Sequence, residues 1–241
     1  MKPMLPTLDL QFRRAGKALL PLPDQLAELG KFCQTLSGYS PLLRTWYLPS
    51  VVSKEDALNC PAFDGTHPSV DALTRLNGKY AGVFDVRTIS VWNGAGSSAE
   101  EAALTSQASV LGRPDSISLT LKARPEILDW RVGASWVQAA LQIWSASFIS
   151  FGPFWYSEKA VFQDKPGVSW MLYLPRVLTA DQVPEARALI PVVDAKGVEG
   201  TIIVSVTDAP FSLENPEHVA TANAIEVRLT DLDVLPRYAD L

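Results

Sequence analysis

Histidine and cysteine are both scarce in this chain, with only two of each among 241 residues. His67 and His218 are far apart and belong to no HxxxH or HExxH pattern, so a metal site or a histidine-based triad lacks converging groups. Cys33 and Cys60 form no CxxC motif, which predicts two free, buried thiols in a reducing compartment; a disulfide between them is the alternative. The sequence also has no P-loop and no GxSxG motif. We therefore predict no catalytic, cofactor-binding or metal-binding residues, and a protein that is not an enzyme.

The amino-terminal segment has no uninterrupted apolar run of the kind that a secretory signal needs. Pro3, Pro6 and Asp9 interrupt the run too early. We therefore expect a cytoplasmic protein.

One stretch, residues 132–157, carries no charged side chain and is long enough to cross a bilayer. Its polar residues nevertheless recur at helical spacing and stack on one face, while apolar residues gather on the other. The polar set is Ser135, Gln138, Gln142 and Ser145. This pattern predicts a mostly buried helix of a soluble domain that stops at Gly152-Pro153, with a membrane span as the alternative.

Negative charge is concentrated near the carboxyl end. Residues 181–241 hold eleven acidic and four basic side chains, a net charge of −7, whereas the whole chain has a formal net charge of −5. Because such a surface repels phosphate groups, we predict no direct binding of nucleic acid and a basic protein as the partner. A solvated acidic face without a partner is the alternative.

Strand and helix patterns alternate irregularly along the chain, with short connections. The predicted strands cover residues 7–14, 44–48, 83–92, 116–122, 168–174 and 200–206. The predicted helices cover residues 24–37, a short segment after Ser53, the apolar stretch from residue 132, residues 179–189 and residues 215–232. We therefore predict an α+β fold in which an antiparallel or mixed sheet is covered by helices.

A single domain over residues 1–241 is the simplest organisation. A weak internal similarity favours a second organisation of the chain. Residues 45–49 and residues 170–175 both end in proline, and both precede a serine or threonine that can cap a helix. Two similar α/β halves, meeting near residues 100–115, would explain this similarity, and chance explains it equally well.

The segment Asn93–Ala99 formally matches the GxGxxA pattern of dinucleotide-binding loops and precedes a helical run. Such a site also needs an acid at the end of the next strand, whereas Asp115 stands at its beginning. Ser97 and Glu100 form a capping box that accounts for the segment without a ligand. We therefore predict no cofactor.

Tryptophan is abundant, with seven residues. Five of them lie within strand or helix patterns and are predicted core residues: Trp46, Trp92, Trp136, Trp144 and Trp170. Trp130 and Trp155 lie at element boundaries, where an aromatic side chain can anchor a protein interface. Burial is nevertheless the more frequent outcome for an aromatic residue at such a position.

Four segments follow one another in the carboxy-terminal half, with Leu235-Pro236 after the last. They are Gly167–Pro175 (GVSWMLYLP), Gly200–Ser205 (GTIIVS), Asn215–His218 (NPEH) and Ala224–Leu229 (AIEVRL). In this order they resemble the immunity-protein-52 family of bacterial polymorphic-toxin systems. The resemblance implies a cytoplasmic antitoxin whose counterpart is a nuclease toxin with a restriction-endonuclease-like fold, often delivered by a type VI secretion system. It carries over no catalytic residues.

Candidate partner-binding residues are acids outside the apolar stripes, together with the two boundary tryptophans. They are Asp181, Glu185, Glu199, Asp208, Glu214, Asp231, Asp233, Trp130 and Trp155. Acidic side chains facing a basic nuclease cleft would speed association. Glu226 is a poorer candidate, because it adjoins the buried face of its helix. The competing hypothesis is an enzyme whose site residues are dispersed through the chain, and the oligomeric state stays open.

Overall fold

The computed structural model describes residues 5–16, 18–122 and 129–241. The chain forms two compact units. The N-terminal unit comprises Arg14–Lys122, and the C-terminal unit comprises Met1–Arg13 together with Ala123–Leu241. Both units combine helices with strands that pair antiparallel, so the predicted α+β class with an antiparallel sheet is confirmed.

The N-terminal unit is built from helices and short strands that precede a three-stranded meander. Its helices are α1 (Leu22–Ser37), α2 (Lys54–Leu58) and α3 (Val70–Lys79). Its strands are β2 (Phe63–Asp64), β3 (His67–Pro68), β4 (Val86–Trp92), β5 (Ala102–Ser109) and β6 (Asp115–Leu121). Strand β5 lies between β4 and β6.

A buried polar network joins α1 to this meander. Gln25 of α1 donates from Nε2 to Oγ of Ser106 in β5 at 2.9 Å. Arg87 of β4 donates from Nε to Oε1 of Gln25 at 2.7 Å. Because buried polar groups are costly unless they are bonded, this chain of hydrogen bonds fixes α1 on one face of the meander.

The C-terminal unit contains a five-stranded sheet with helices packed on it. Its strands are β1 (Pro6–Phe12), β7 (Phe148–Pro153), β8 (Met171–Leu174), β9 (Ala188–Val193) and β10 (Glu199–Val204). Its helices are α4 (Trp130–Leu141) and α5 (Pro216–Asp231). The strand order is β1-β7-β8-β10-β9.

The charge-free stretch from residue 132 is only partly helical. Helix α4 ends at Leu141, and Phe148–Pro153 forms strand β7, so the predicted continuation of the helix to Gly152 is wrong. Strand β7 pairs with β1 on one side and with β8 on the other. Interior strand β7 carries a single polar side chain, Ser150, so its sequence lacks the regular alternation that marks a half-exposed strand.

Helix α4 packs closely on the sheet because a glycine faces it. A Cβ atom on Gly133 would lie 2.6 Å from the Phe151 ring and 3.0 Å from the methyl carbon of Met171. The Trp136 and Phe151 rings meet edge to face, with centroids 6.0 Å apart. The core of the unit therefore lies between α4 and β7–β8.

Two further helix predictions are wrong. Residues 179–189 form turns and the start of β9, where Pro184 removes a donor that a helix would need. The segment after Gly94 enters a short 3-10 turn at Ser98–Glu100 and then strand β5. The Asn215 cap of α5 is confirmed, since its side chain accepts a hydrogen bond from the Glu217 amide.

The other predicted elements fall close to their expected positions. Residues 7–14 correspond to β1, residues 83–92 to β4, residues 116–122 to β6 and residues 200–206 to β10. Residues 44–48 contain only an isolated bridge at Tyr47. Across residues 5–16, 18–122 and 129–241, no helix is long and apolar enough to cross a membrane.

Strand β9 lies at the end of the C-terminal sheet, paired with β10. Pro191, in the middle of β9, has no amide hydrogen to donate. The Val193 carbonyl accepts a hydrogen bond of 3.1 Å from the side-chain amide of Gln142, just beyond α4. Two backbone positions of this edge strand are thereby closed to further pairing.

Candidate binding surface

A cleft of about 470 Å³ opens within the C-terminal unit. Its floor is the polar face of β1 and β7, where Asp9 lies opposite Ser150 and Thr7 lies opposite Gly152. Its walls come from residues 153–169 and from Tyr238. The lining combines hydroxyl, amide and charged side chains with aromatic rings.

Two aromatic side chains project to solvent at the edge of this cleft. Phe154 lines the cleft and is 51% exposed, and Trp155 beside it is 40% exposed. Their rings meet edge to face with centroids 4.8 Å apart. We call them the aromatic pair. The pair begins a 3-10 turn, Phe154–Glu158, and the Phe154 amide donates to the Leu5 carbonyl at 2.8 Å.

A buried carboxylate anchors this turn through hydrogen bonds. Glu226 of α5 is 1% exposed, and its Oε1 accepts a 2.7 Å hydrogen bond from the Tyr156 hydroxyl. The Val168 amide donates to the same oxygen at 2.9 Å, and the Val161 amide donates to Oε2 at 2.7 Å. One carboxylate therefore binds three points of the segment that follows the aromatic pair. We call this arrangement the Glu226 clasp.

Burial dominates the electrostatics of the clasp. It raises the pKa of Glu226 above its ordinary value, although the three hydrogen bonds act in the opposite direction. Burial and the neighbouring Glu226 charge also raise the pKa of Tyr156, so the phenol stays protonated and remains a donor. The prediction that Glu226 adjoins the buried face of its helix is confirmed.

The C-terminal residues close the other side of the cleft. Lys165 donates from Nζ to the Leu235 carbonyl at 2.8 Å, and the Tyr238 amide donates to the Asp164 carbonyl at 2.9 Å. The Tyr238 and Phe148 rings meet edge to face, 6.0 Å apart. Burial, followed by the charges of Asp9 and Glu226, raises the pKa of Tyr238.

One residue of the cleft has an unusual backbone. Ser169 has a φ of 53°, in the left-handed region that a residue with a Cβ atom seldom adopts. The residue is 2% exposed, and its hydroxyl has no hydrogen-bond partner among the described residues. A Cβ on Gly152 would lie 2.0 Å from this hydroxyl oxygen, so the glycine leaves room for it.

The seven candidate acids do not form a single patch. All are exposed except Glu185, which is half-buried. Glu214 precedes α5 and Asp231 ends it, and the 16 residues of that helix span about 24 Å. Glu199 begins β10, whereas Asp208 follows the end of that strand. The acids therefore fall into separate groups, with Asp208 and Glu214 before α5 and Asp231 and Asp233 at its end.

Glu185 is engaged within the unit. Its Oε1 accepts hydrogen bonds from Nη2 of Arg228 at 2.7 Å and from Nε at 3.1 Å. The hydrogen bonds from Arg228 are the main reason that the pKa of Glu185 lies below its ordinary value. Because its charge is neutralised locally, Glu185 contributes less to long-range attraction than the exposed acids do.

The tryptophans divide much as predicted. Trp46, Trp136, Trp144 and Trp170 are buried, as expected of core residues, whereas Trp92 is partly exposed. Trp130 is partly buried at the start of α4, with the Arg131 guanidinium 4.6 Å from its ring centroid. Trp155 is thus the more exposed of the two proposed anchors.

The two cysteines and the two histidines occupy ordinary positions within the fold. Cys33 and Cys60 are free and buried, so they form no disulfide, and burial raises the pKa of the Cys33 thiol. His218 accepts a hydrogen bond of 3.0 Å at Nδ1 from the Ser212 amide, and His67 lies exposed in β3. In the described part of the chain, no three potential metal ligands are grouped closely enough to hold an ion.

The loop that resembles a dinucleotide-binding loop is occupied by a lysine of its own unit. Lys54 donates from Nζ to the Ala95 carbonyl at 2.7 Å, and its ammonium group lies 5.6 Å from the Trp92 ring centroid. Backbone carbonyls that bind a lysine do not cradle a phosphate, which is bound by amide groups.

Comparison with protein-family models and with curated proteins gave no match. The resemblance to the immunity-protein-52 family therefore stays a prediction. The Glu226 clasp was missed by sequence reasoning, and its only local signal is one acid within the apolar face formed by Ala222, Ile225 and Leu229.

Proposed function

We propose that this chain is a cytoplasmic immunity protein that binds and neutralises a toxin, of which a nuclease domain with a restriction-endonuclease-like fold is the favoured kind. The observation that carries the proposal is the aromatic pair. Exposed aromatic side chains on an anchored segment are typical interface anchors, because they bury a large apolar area and lose little conformational entropy on binding. The segment resemblance described above supplies the identity of the partner.

The distribution of charge supports a basic partner. Exposed acids stand at both ends of α5, and the chain as a whole is acidic, with a formal net charge of −5. Such charges act mainly on the rate of encounter, whereas aromatic anchors act mainly on the lifetime of the complex. The two sets of residues therefore have separable roles in the proposed complex.

A toxicity-rescue assay with the product of the adjacent gene tests this function. We expect the wild-type chain to capture that product in a pull-down and to protect cells that express it. The double variant Phe154→Ala/Trp155→Ala should fold normally but lose protection. Phe84→Ala is the matched control, because Phe84 is also exposed, at 80%, but belongs to the N-terminal unit.

Two results would count against the proposal in different ways. Absence of capture and of protection by the wild-type chain would refute an antitoxin role against this gene product. Protection by the double variant at the wild-type level would leave an antitoxin role standing but would remove the aromatic pair from the interface.

One observation favours a second candidate function, an enzyme with a dispersed active site. Ser169 combines a left-handed backbone with a buried, unpartnered hydroxyl in the wall of the cleft, and backbone strain of this kind is concentrated at functional sites. Turnover of a substrate that Ser169→Ala abolishes and Ser157→Ala leaves intact would establish this alternative. We expect neither turnover nor a tightly bound metal ion.

A further inference from the structure

We propose that Glu226 is a positioning residue for the aromatic pair, so that the protonation of one buried carboxylate controls how Phe154 and Trp155 are presented. This inference rests on the proposed function only for its biological meaning. The structural relationship can be tested without any partner.

The geometry of the clasp carries the inference. The Tyr156 side chain, directly after the pair, and the Val161 amide, five residues further on, are bound by different oxygens of the same carboxylate. The Tyr156 carbonyl accepts hydrogen bonds from the Lys159 and Ala160 amides, which close the turn between these two points. Any movement of the carboxylate is therefore transmitted to both ends of the turn.

A third hydrogen bond extends the control to the wall of the cleft. The Val168 amide shares Oε1 of Glu226 with the Tyr156 hydroxyl. Gly167 beside it has no side chain, and a Cβ there would lie 2.8 Å from the Tyr156 ring. The Tyr156 ring, the Glu226 carboxylate and the chain at residues 167–168 therefore pack closely, and Asn223 Oδ1, 3.0 Å from the Tyr156 hydroxyl, is a second acceptor for it.

Protonation changes what this site can bind. An ionised carboxylate only accepts hydrogen bonds and matches the three donors around it, whereas a protonated one carries a hydrogen that one of its oxygens must donate. One of the three interactions must then weaken or rearrange. Because the Tyr156 hydroxyl can itself accept a hydrogen bond, the rearrangement falls on the residue that adjoins Trp155.

The test must distinguish the titration of Glu226 from the titration of other ionisable groups in this region. They are Tyr156, Tyr238, Lys165 and Asp9 around the cleft, and His218 and Arg228 on α5. His218 is the most important of them, because its ring contacts Phe211, which packs edge to face against Tyr156. The variant His218→Gln removes this imidazole.

Nuclear magnetic resonance of the full ¹⁵N-labelled chain between pH 4 and 8 tests the proposal. The resonances to follow are the amides of Val161 and Val168 and the indole N–H of Trp155. We expect all three to move with one common midpoint, above the ordinary glutamate pKa of 4.5. His218→Gln and Glu217→Gln should keep this common titration, Glu217 being an exposed acid on the same helix.

Two variants make the outcome decisive. Glu226→Gln should abolish the common titration, and its Val161 amide should exchange with solvent about tenfold faster or more, because the new side-chain amide presents a second donor to it. Tyr156→Phe should preserve the titration of the Val161 and Val168 amides but remove most of the response of the Trp155 indole.

The inference is overturned if the Trp155 indole does not follow the two amides in the wild-type chain. It is also overturned if the indole response survives in Glu226→Gln, or is removed by His218→Gln alone. None of these measurements includes a toxin. A chain that shows the common titration but binds no adjacent gene product would contradict the proposed function and leave the clasp intact.

Discussion

Trp170 lies stacked on Phe151, with ring centroids 5.8 Å apart and ring planes inclined by 24°. Its indole N–H donates to the Val206 carbonyl at 2.8 Å, and the residue is 0% exposed. The stacking brings the chain just before β8 against the interior strand β7. Trp170 is therefore a structural residue of the C-terminal core, whereas Trp155 is 40% exposed.

The first prediction contrasts these two tryptophans. Trp170→Ala should lower the free energy of unfolding by about 3–5 kcal/mol, because it removes a fully buried ring and its hydrogen bond. Trp155→Ala should change it by about 1 kcal/mol or less, since Trp155 is 40% exposed and lies in a surface turn. Urea denaturation of both variants measures the difference. Equal losses would mean that Trp155 is also a core residue.

The second prediction concerns two helical glycines. Gly133→Ala should destabilise the protein by about 1–3 kcal/mol, because its Cβ would meet the Phe151 ring at 2.6 Å. Gly78→Ala in α3 should stabilise it by about 0.5–1 kcal/mol, because a Cβ there meets nothing within 4 Å. Thermal melts of the two variants should shift in opposite directions. An unchanged or raised melting temperature of Gly133→Ala would contradict the close packing of α4 on β7.

The third prediction is a dependence of stability on pH. Burial raises the pKa of Glu226 in the folded chain above its ordinary value of 4.5. The folded state therefore favours the protonated form of Glu226 more than the unfolded state does. The resulting contribution to the free energy of unfolding is complete below pH 4.5 and is lost as pH rises through the pKa of Glu226 in the folded state. The free energy of unfolding of wild type minus that of Glu226→Gln should accordingly fall with rising pH. A difference that rises over this range would show that the carboxylate is stabilised as an ion.

The fourth prediction concerns the acidic groups at the two ends of α5. Two double variants reverse the charge of one group each, Asp208→Lys/Glu214→Lys and Asp231→Lys/Asp233→Lys. The variant whose altered group faces a basic toxin should associate with that toxin about tenfold more slowly at low salt. The two groups are separated by the length of α5, which exceeds the screening length of about 8–10 Å. The group that faces away should therefore have little effect.

Stopped-flow or surface-binding kinetics at several salt concentrations would measure these rates. Added salt should reduce the difference between variant and wild type, because exposed charges are screened. Unchanged, salt-independent association in both double variants would assign the acids to a solvated face. Glu185 should be left intact in this experiment, because its reversal would also break the ion pair with Arg228.

Features that depend on neighbouring residues could be predicted from the sequence. Asn215 caps α5 as its Asn-Pro-Glu pattern indicates, because the cap acts within three residues. The alternation in β1 and β6 identified both strands. The charge-free run around β7 could not be assigned in this way, since a buried strand and a buried helix are equally apolar there.

The candidate site depends on contacts that sequence patterns do not contain. Tyr156, Val161 and Val168 reach Glu226 across 70, 65 and 58 residues of sequence. Neither the tyrosine nor the two valine amides form a local motif with the acid. The exposure of Trp155 likewise depends on the turn that the clasp closes, so its boundary position alone left burial open as an alternative.

The closed edge of β9 bears on how the protein behaves when it is abundant. An antitoxin of the kind proposed acts only while it outnumbers its target, and any chain kept at high concentration can associate strand by strand into fibres. Pro191 offers no hydrogen to an incoming strand, and the Val193 carbonyl is already bound by Gln142. Strand β9 therefore offers no continuous row of free backbone groups to a strand of another chain, which disfavours strand-by-strand association at this edge.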